Sequence, residues 1–362
     1  MIPTHAADVA FLERAVALAW NGLATVTTNP RVGCVIVRGD KVIGEGWHQW
    51  AGQGHAEVNA IAAAGGEVRG ATVYVSLEPC SWVGRTPACA QRLIDEGVAR
   101  VVIAEIDPHP RVSGRGVEML KAAGIQTEVI ELVSAKQLNP GCHKRIESGR
   151  PFVRIKIAAS LDGRTAMANG ESQWITGEAA RADVQALRAR SCAVITGIGT
   201  VLADDPALTV RDERFRVDGR IRQPLILVMD SKLRTPQSAK VFKSSGEALI
   251  AHGGTRPEWL EETRSLSVSG TKVELNTVLS HLAERQMNEV LVEAGPTLAG
   301  AFLGSNLWDE LVLYLAPKLL GANGRPLAQL TFPSLSEALG AKIVAHERVG
   351  EDLKLTLHPR DR

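Results

Sequence analysis

Aromatic side chains are scarce here: two tyrosines, six phenylalanines and seven tryptophans in 362 residues. So few rings leave little material for the stacking platforms that hold single-stranded nucleic acid. An excess of one charge is missing too. Forty-one Lys and Arg face forty Asp and Glu, for a formal net charge of +1, and no basic run forms an arm or patch; a nucleic-acid binder driven by phosphate contacts is therefore not expected. No apolar run approaches the roughly 18 residues of a membrane span. The N-terminus also lacks a basic region followed by an apolar stretch and a small-residue cleavage site, so the expectation is a cytoplasmic protein. Cysteine is limited to five residues, an odd count that suits no disulfide framework. Cys34, Cys142 and Cys192 stand singly and read as small core residues of a reducing compartment.

Glycine is plentiful at 34 residues, and hydrophobic residues make up 45%, a composition that fits a turn-rich α/β enzyme. The length exceeds one ordinary domain of about 100 to 200 residues, so two domains are expected, each large enough to bury a core. Val9, Leu12, Val16 and Ala19 follow a helical period ended by Asn21-Gly22. Two apolar runs around Arg38-Gly39-Asp40 read as a hairpin. A helix from His55 stops at Gly65-Gly66, and strands are expected near Thr72–Leu77, Arg100–Glu105 and Gln126–Ile130. Turn residues cluster between Gln137 and Pro151, and the expected boundary separates domains 1–147 and 148–362. Beyond it strands are expected at Phe152–Ala158, Ala193–Thr196, Leu225–Asp230, Ala248–Ala251, Glu289–Glu293 and Glu310–Ala316. Strands alternating with helices predict an α/β fold in both halves.

The chemistry concentrates at His55-Ala56-Glu57, Pro79-Cys80 and Cys89. One imidazole and two thiolates fill three corners of a tetrahedral zinc site, leaving the fourth for a water made acidic enough to react near neutral pH. Glu57, at the first turn of its helix, is placed to move protons and stands too close to His55 to be another ligand. The His-x-Glu element belongs to nucleobase deaminases, whose second element is Pro-Cys-x-x-Cys. Here eight residues separate the cysteines, so a loop is expected over the pocket, with Arg85 and Thr86 facing a charged part of the substrate. A closed structural zinc staple is the competing reading, with His48 or Cys34 as fourth ligand.

In the second half, Gly197-Ile198-Gly199 follows a strand, but Leu202 occupies the third glycine position of a dinucleotide fingerprint, so no Rossmann site is expected. Gly295-Pro296-Thr297-Leu298-Ala299-Gly300 leads from a strand into an apolar helix and reads equally as a turn whose backbone amides hold a phosphate or as a tight strand-to-helix turn with no ligand. Lys156 and Glu293 lie in or at the end of apolar strands, where an unpaired charge is costly. They are expected to pair or to form a site. Asp204, in Asp204-Asp205-Pro206, is expected near them.

These segments together resemble the bifunctional riboflavin-biosynthesis deaminase-reductase family. The resemblance runs through His55-Ala56-Glu57-Val58-Asn59-Ala60, the long Pro79-to-Cys89 loop and Asp107-Pro108-His109-Pro110-Arg111-Val112. It continues in Lys156-to-Arg164, Trp174-Ile175-Thr176-Gly177, Thr200-to-Thr209 and Glu293-to-Leu298. It implies a cytidine-deaminase-like α/β/α domain followed by a dihydrofolate-reductase-like α/β domain. It implies zinc-dependent hydrolytic deamination of 2,5-diamino-6-ribosylamino-4(3H)-pyrimidinone 5′-phosphate, then NADPH-dependent reduction of the ribosyl group to ribityl. Carried over by motif, the substrate contacts are Asn29, Ser172, Arg188, Leu208, Arg211 and Glu293. The NADPH contacts are Ala158, Trp174, Thr200, Asp204, Ser231 and the segment Gly295 to Ala301. Lys156 and Glu293 are the candidate catalytic groups of the reduction, and a homo-oligomer is expected. Thr28 stands where the family usually has proline, and His109 where it often has asparagine. A nucleic-acid base deaminase is disfavoured by the near-zero charge, whereas a non-enzymatic zinc-stapled protein predicts that replacing Glu57 changes nothing.

Overall fold

The computed structural model describes residues 5–82, 88–243, 246–268 and 270–360. The chain divides into two units, Met1–Ser148 and Gly149–Arg362. Arg85 and Thr86, expected over the first site, lie outside the described residues.

The first unit runs α1 (His5–Ala19), β1 (Gly33–Arg38), β2 (Lys41–Trp47), α2 (Ala56–Ala63), β3 (Thr72–Val75), α3 (Cys89–Asp95), β4 (Arg100–Ile103), α4 (Arg115–Ala122), β5 (Gln126–Val129), α5 (Val133–Lys136) and α6 (Pro140–Ser148). Its sheet has the order β2-β1-β3-β4-β5. β1 is antiparallel to β2 and β3, and β3, β4 and β5 are mutually parallel. Both faces are covered, as the all-apolar centre of β1 requires. Cys34 and Ile36 join the core beneath α2, whereas Val35 and Val37 join the core beneath α1. Glycines let these helices come close. A side chain at Gly46 would meet Ala60 N at 2.4 Å and Ala56 O at 2.7 Å, and one at Gly33 would meet Ala15 O at 2.0 Å. Asp8 on α1 is buried and ion-pairs with Arg100 at the start of β4 at 2.7 Å, while Tyr74 donates to the same carboxylate at 2.8 Å.

The second unit runs β6 (Phe152–Ser160), β7 (Arg164–Ala166), α7 (Glu178–Arg190), β8 (Ala193–Gly197), α8 (Ile198–Asp204), β9 (Leu225–Met229), β10 (Ala248–His252), β11 (Ser265–Ser267), α9 (Leu275–Glu284), β12 (Glu289–Glu293), α10 (Pro296–Gly304), β13 (Glu310–Ala316), β14 (Arg325–Pro326), β15 (Ala341–Val349) and β16 (Asp352–Pro359). Nine strands form one sheet in the order β11-β10-β9-β8-β12-β6-β13-β16-β15. The first seven of these are parallel, and β16 and β15 add an antiparallel hairpin. Alternation along β6 sorts its side chains. Val153, Ile155, Ile157 and Ala159 enter the core shared with α9 and α10, which leaves Arg154, Lys156 and Ala158 for the opposite face, where α7 packs on Val194, Leu291 and Tyr314. Both expected strands that end at Glu293 and Ala316 have those bounds, whereas β6 runs two residues further than expected, to Ser160.

Candidate active sites

In the first unit, His55 is the residue before α2, in extended conformation, and Glu57 lies in the helix's first turn with its side chain buried. Cys80 follows β3, and Cys89 opens α3. His55 Nδ1 lies 3.2 Å from Cys89 Sγ and 3.6 Å from Cys80 Sγ, and all three ligand atoms fall within 4.8 Å of one another. A tetrahedral centre with ordinary Zn–N and Zn–S bonds sets such atoms about 3.6 to 3.8 Å apart, so the two nitrogen–sulfur distances fit zinc with movements of a few tenths of an ångström. Proton sharing points the same way. The Cys89 thiol and the His55 ring favour the Cys80 thiolate, while the same contact and burial push the Cys89 thiol up. A dication held by the three groups would take the place of that shared proton.

A fourth protein ligand is not supplied among the described residues. His48 faces elsewhere, with Nδ1 3.0 Å from Gly54 O and Nε2 3.1 Å from Asn29 Nδ2. Its ring is set edge-on to His55 at 5.1 Å between centroids. Cys34 is fully buried in β1, where burial and the charge of Glu57 keep it a thiol. An open triangle is the catalytic pattern and a closed one the structural pattern. Burial and the nearby Cys80 sulfur hold the Glu57 carboxyl above the ordinary carboxylate range.

Glu78 has no role in the sequence reading, although it is buried two residues before Cys80. Its Oε1 accepts from Gly116 N at 2.8 Å and Val117 N at 3.3 Å, and its Oε2 from Gly114 N at 2.9 Å and Asp107 N at 3.2 Å. The available signal is a charge at the end of an apolar strand, where it must find partners.

In the second unit the parallel strands bring their carboxyl ends to one edge, the place where open α/β sheets bind ligands. β12 lies between β8 and β6, and Glu293 stands opposite Lys156 in the register. Arg188 of α7 reaches over to Glu293 with Nε to Oε1 at 2.6 Å and Nη2 to Oε2 at 2.9 Å, and its Nη1 donates to Thr209 O at 3.2 Å. Burial opposes the charge of Glu293, but Arg188 and Lys156 outweigh it and hold the carboxyl below its ordinary range. Lys156 behaves oppositely: burial draws its amine down, Arg188 adds to that, and Glu293 only partly compensates. Lys156 and Glu293, expected together with Asp204, are thus brought into one cluster, which Arg188 completes. Asp204 is not part of it. It is exposed at the last residue of α8.

The other candidates spread along the same edge. Leu208 is buried with φ 53°, and Arg211 N donates to Gln185 of α7 at 2.8 Å. Gly295 precedes α10, and a side chain there would approach only Thr200 Oγ1, at 4.0 Å. A side chain at Gly197 would touch Leu298 at 3.6 Å, so the turns after β8 and β12 are neighbours. Gly300 is different. It presses on the backbone of Gln329, which a side chain would meet at 2.3 Å, while Ala301 is exposed. Trp174 is exposed beneath Arg181, with 4.5 Å from guanidinium to ring centroid, and its carbonyl accepts from Lys318 at 2.9 Å. Ser231 Oγ, after β9, accepts from Val273 N at 3.1 Å. Ser172 is half-buried in the segment before Trp174.

Comparison with known proteins bears on both units. Residues 6–105 match the family described as the cytidine and deoxycytidylate deaminase zinc-binding region, and residues 151–355 match the RibD C-terminal domain. The riboflavin biosynthesis protein RibD of Escherichia coli is 47% identical, with 97% of this chain and 99% of that protein covered. RibD of Haemophilus influenzae is 42% identical, with 99% and 100% covered. Among solved structures, Acinetobacter baumannii RibD superposes with a TM-score of 0.91 at 43% identity, over 98% of this chain and 99% of that one. A Thermotoga maritima diaminohydroxyphosphoribosylaminopyrimidine deaminase/5-amino-6-(5-phosphoribosylamino)uracil reductase gives 0.88 at 32%, over 98% and 99%.

Proposed function

The chain belongs to the bifunctional riboflavin-biosynthesis deaminase-reductase family, and from that membership we propose a division of labour and a set of acting residues. The protein is a deaminase and reductase of riboflavin biosynthesis that uses zinc and NADPH. We assign the deamination to residues 1–147 and the reduction to 148–362. The substrate of the first step is the diaminopyrimidinone ribosylamine 5′-phosphate, and its deaminated aminouracil is the substrate of the second.

His55, Cys80 and Cys89 hold the zinc, which when bound supplies Lewis acidity that makes water nucleophilic near neutral pH. Glu57 takes the proton from that water and returns it to the departing amine. Its burial favours this work, because a carboxyl held above its ordinary range accepts a proton more readily than an exposed one. Asn29, fixed by His48, faces the pyrimidine. The observation that carries the reading is the open triangle of one nitrogen and two sulfurs beside a buried carboxylate.

In the second unit NADPH supplies a hydride when bound. The turns 197–200 and 295–301, with Ala158, Trp174, Asp204 and Ser231, bind it along the carboxyl edge of the sheet. Arg211 brings positive charge to the substrate phosphate, and Arg188, whose charge is matched by Glu293, lines the same pocket with Ser172 and Leu208. Lys156 and Glu293 move the protons that opening of the ribosyl ring requires. Lys156 suits this role because burial draws its amine down from its ordinary value and Glu293 lies opposite it.

No helix among the described residues is long and apolar enough to cross a membrane, which accords with work in the cytoplasm. A homo-oligomer accords with β15, a nine-residue edge strand whose residues 342–348 are all exposed, Ile343 and Val344 among them. An open edge of that length ordinarily has a cover. The test of function is a coupled assay on the diaminopyrimidinone phosphate that follows ammonia release and NADPH oxidation separately. Ammonia without NADPH oxidation, or neither, rejects the corresponding half.

A further inference from the structure

We propose that Glu78 is the positioning residue of the metal centre: its carboxylate fastens the segment that supplies Cys80 to both ends of loop 107–114 and to the start of α4. The inference rests on the reading of His55, Cys80 and Cys89 as zinc ligands. Glu78 touches none of the three ligand atoms. It acts through the backbone of Pro79 and Cys80.

Four backbone amides converge on this one carboxylate, two on each oxygen, at 2.8 to 3.3 Å. A helix cap alone would engage only the first turn of α4. Here Oε2 also holds Asp107 N, at the other end of the loop, so one oxygen closes the loop at both ends. The approach is made possible by Gly116, where a side chain would meet Pro79 O at 2.1 Å and the Glu78 Oε1 at 3.1 Å. Pro79 has a fixed φ, so little backbone freedom remains between the anchored carboxylate and the ligand sulfur. Beyond Pro79, the Cys80 carbonyl accepts from Ala90 N at 3.1 Å and its sulfur from Cys89 N at 3.3 Å. Trp82 then carries the guanidinium of Arg111 at 5.6 Å from its ring, which ties the loop back to the chain just after the ligand. Asp107, His109 and Arg111 are linked along the loop itself, with His109 N donating to Asp107 at 2.8 Å and Arg111 N to the His109 ring at 3.2 Å. The ligand segment and the loop therefore move as one piece. Coupling between binding events is reciprocal, so filling the metal site should stiffen the loop, and loosening the loop should weaken the metal site.

The test is Glu78→Gln in the full-length protein. Glutamine keeps one acceptor oxygen but turns an NH2 group towards the other pair of amides. The expected result is a 10- to 100-fold loss of zinc affinity in competition with a chelator, the usual effect of disturbing groups that orient a ligand. The charge-transfer and d–d absorption of the cobalt(II)-substituted variant should shift, with near-UV circular dichroism of the first unit retained and reduction of pre-deaminated substrate at the wild-type rate. Wild-type zinc affinity and an unchanged cobalt spectrum in the variant overturn the proposal and leave Glu78 a helix cap. If the variant does not fold, hydrogen exchange of wild-type protein decides. Amides 107, 114, 116 and 117 should exchange faster once zinc is removed, and equal protection with and without zinc overturns the proposal. Wild-type protein that binds no stoichiometric zinc overturns both this proposal and the reading of the ligands.

Discussion

Lys156 and Glu293 face each other in the sheet, yet their removal should have opposite effects on stability. The Glu293 side chain is bound through both oxygens to Arg188, whose side chain is only 12% exposed. Glu293→Gln leaves that guanidinium without its anion, and breaking a buried pair from one side costs about 3–5 kcal/mol. In a unit of this size each kcal/mol moves the melting midpoint by about 2–4 °C, so a fall of roughly 6–20 °C is expected. Lys156 is different, because Glu293 is already taken by Arg188 and burial dominates the lysine's environment. Lys156→Met keeps the volume and removes a charge that is costly to bury, so the midpoint should hold or rise. The pH dependence has a definite sign. The folded amine binds its proton less tightly than the unfolded one, whose ordinary value is 10.5, so between the two values the unfolded chain carries more protons. Wild-type stability should therefore gain on the methionine variant as pH rises towards 10.5. Both variants should lose hydride-transfer rate by the roughly 10²- to 10⁴-fold typical of acid-base groups. Calorimetric melting from pH 7 to 10 and single-turnover NADPH oxidation with the deaminated intermediate decide the matter. A Lys156→Met protein that melts well below wild type, or that reduces the intermediate at full rate, refutes the reasoning.

Glu57→Gln should retain stoichiometric zinc by metal analysis while deamination falls at least 10²-fold, with reduction of pre-deaminated substrate intact; loss of zinc would instead make the carboxylate a ligand. Chelation of zinc, or Cys80→Ser, should abolish ammonia release and spare NADPH oxidation when the intermediate is supplied. A fragment beginning near Glu147 should oxidise NADPH with the intermediate, and a folded but inactive fragment would show that the two sites are not independent. Asp8→Asn should cost the first unit about 3 kcal/mol by leaving Arg100 with Glu128 alone. Because Arg100 and Tyr74 hold the Asp8 carboxyl below 3.8 despite its burial, wild-type stability is present above about pH 4 and lost below it, and acid titration of the variant should lack that loss.

Local chemistry made much of this legible. Ligand residue types and their neighbours marked His55, Glu57, Cys80 and Cys89 before any coordinates, and apolar strands ending in turn residues located β12 and β13. What escaped depends on contacts between distant segments. Arg188 meets Glu293 across 105 positions, and nothing near either residue announces the partner. Five of the thirteen residues of helix α7 are charged, Glu178, Arg181, Asp183, Arg188 and Arg190, so its apolar face is too thin to mark its limits. β15 was hidden for a related reason: exposure along nearly the whole strand erases the alternation that one buried face would impose. Glu78 was missed because its partners are backbone amides, which every residue but proline possesses.

Gly46 shows how a position without chemistry can be among the least replaceable in the first unit. α2 carries His55 and Glu57 at its start and lies on β2 at a depth that only a missing side chain allows. The atoms an added methyl would strike are Ala60 N and Ala56 O, both backbone. No second substitution on the helix can yield that space, since every residue brings the same nitrogen and oxygen. The helix would have to lift, and reactive constellations tolerate only about 0.5 Å of displacement. Directed variation of this enzyme should therefore find β2 frozen at Gly46 while substrate-facing loops accept change, and lines that lose deamination there should regain it only by true reversion.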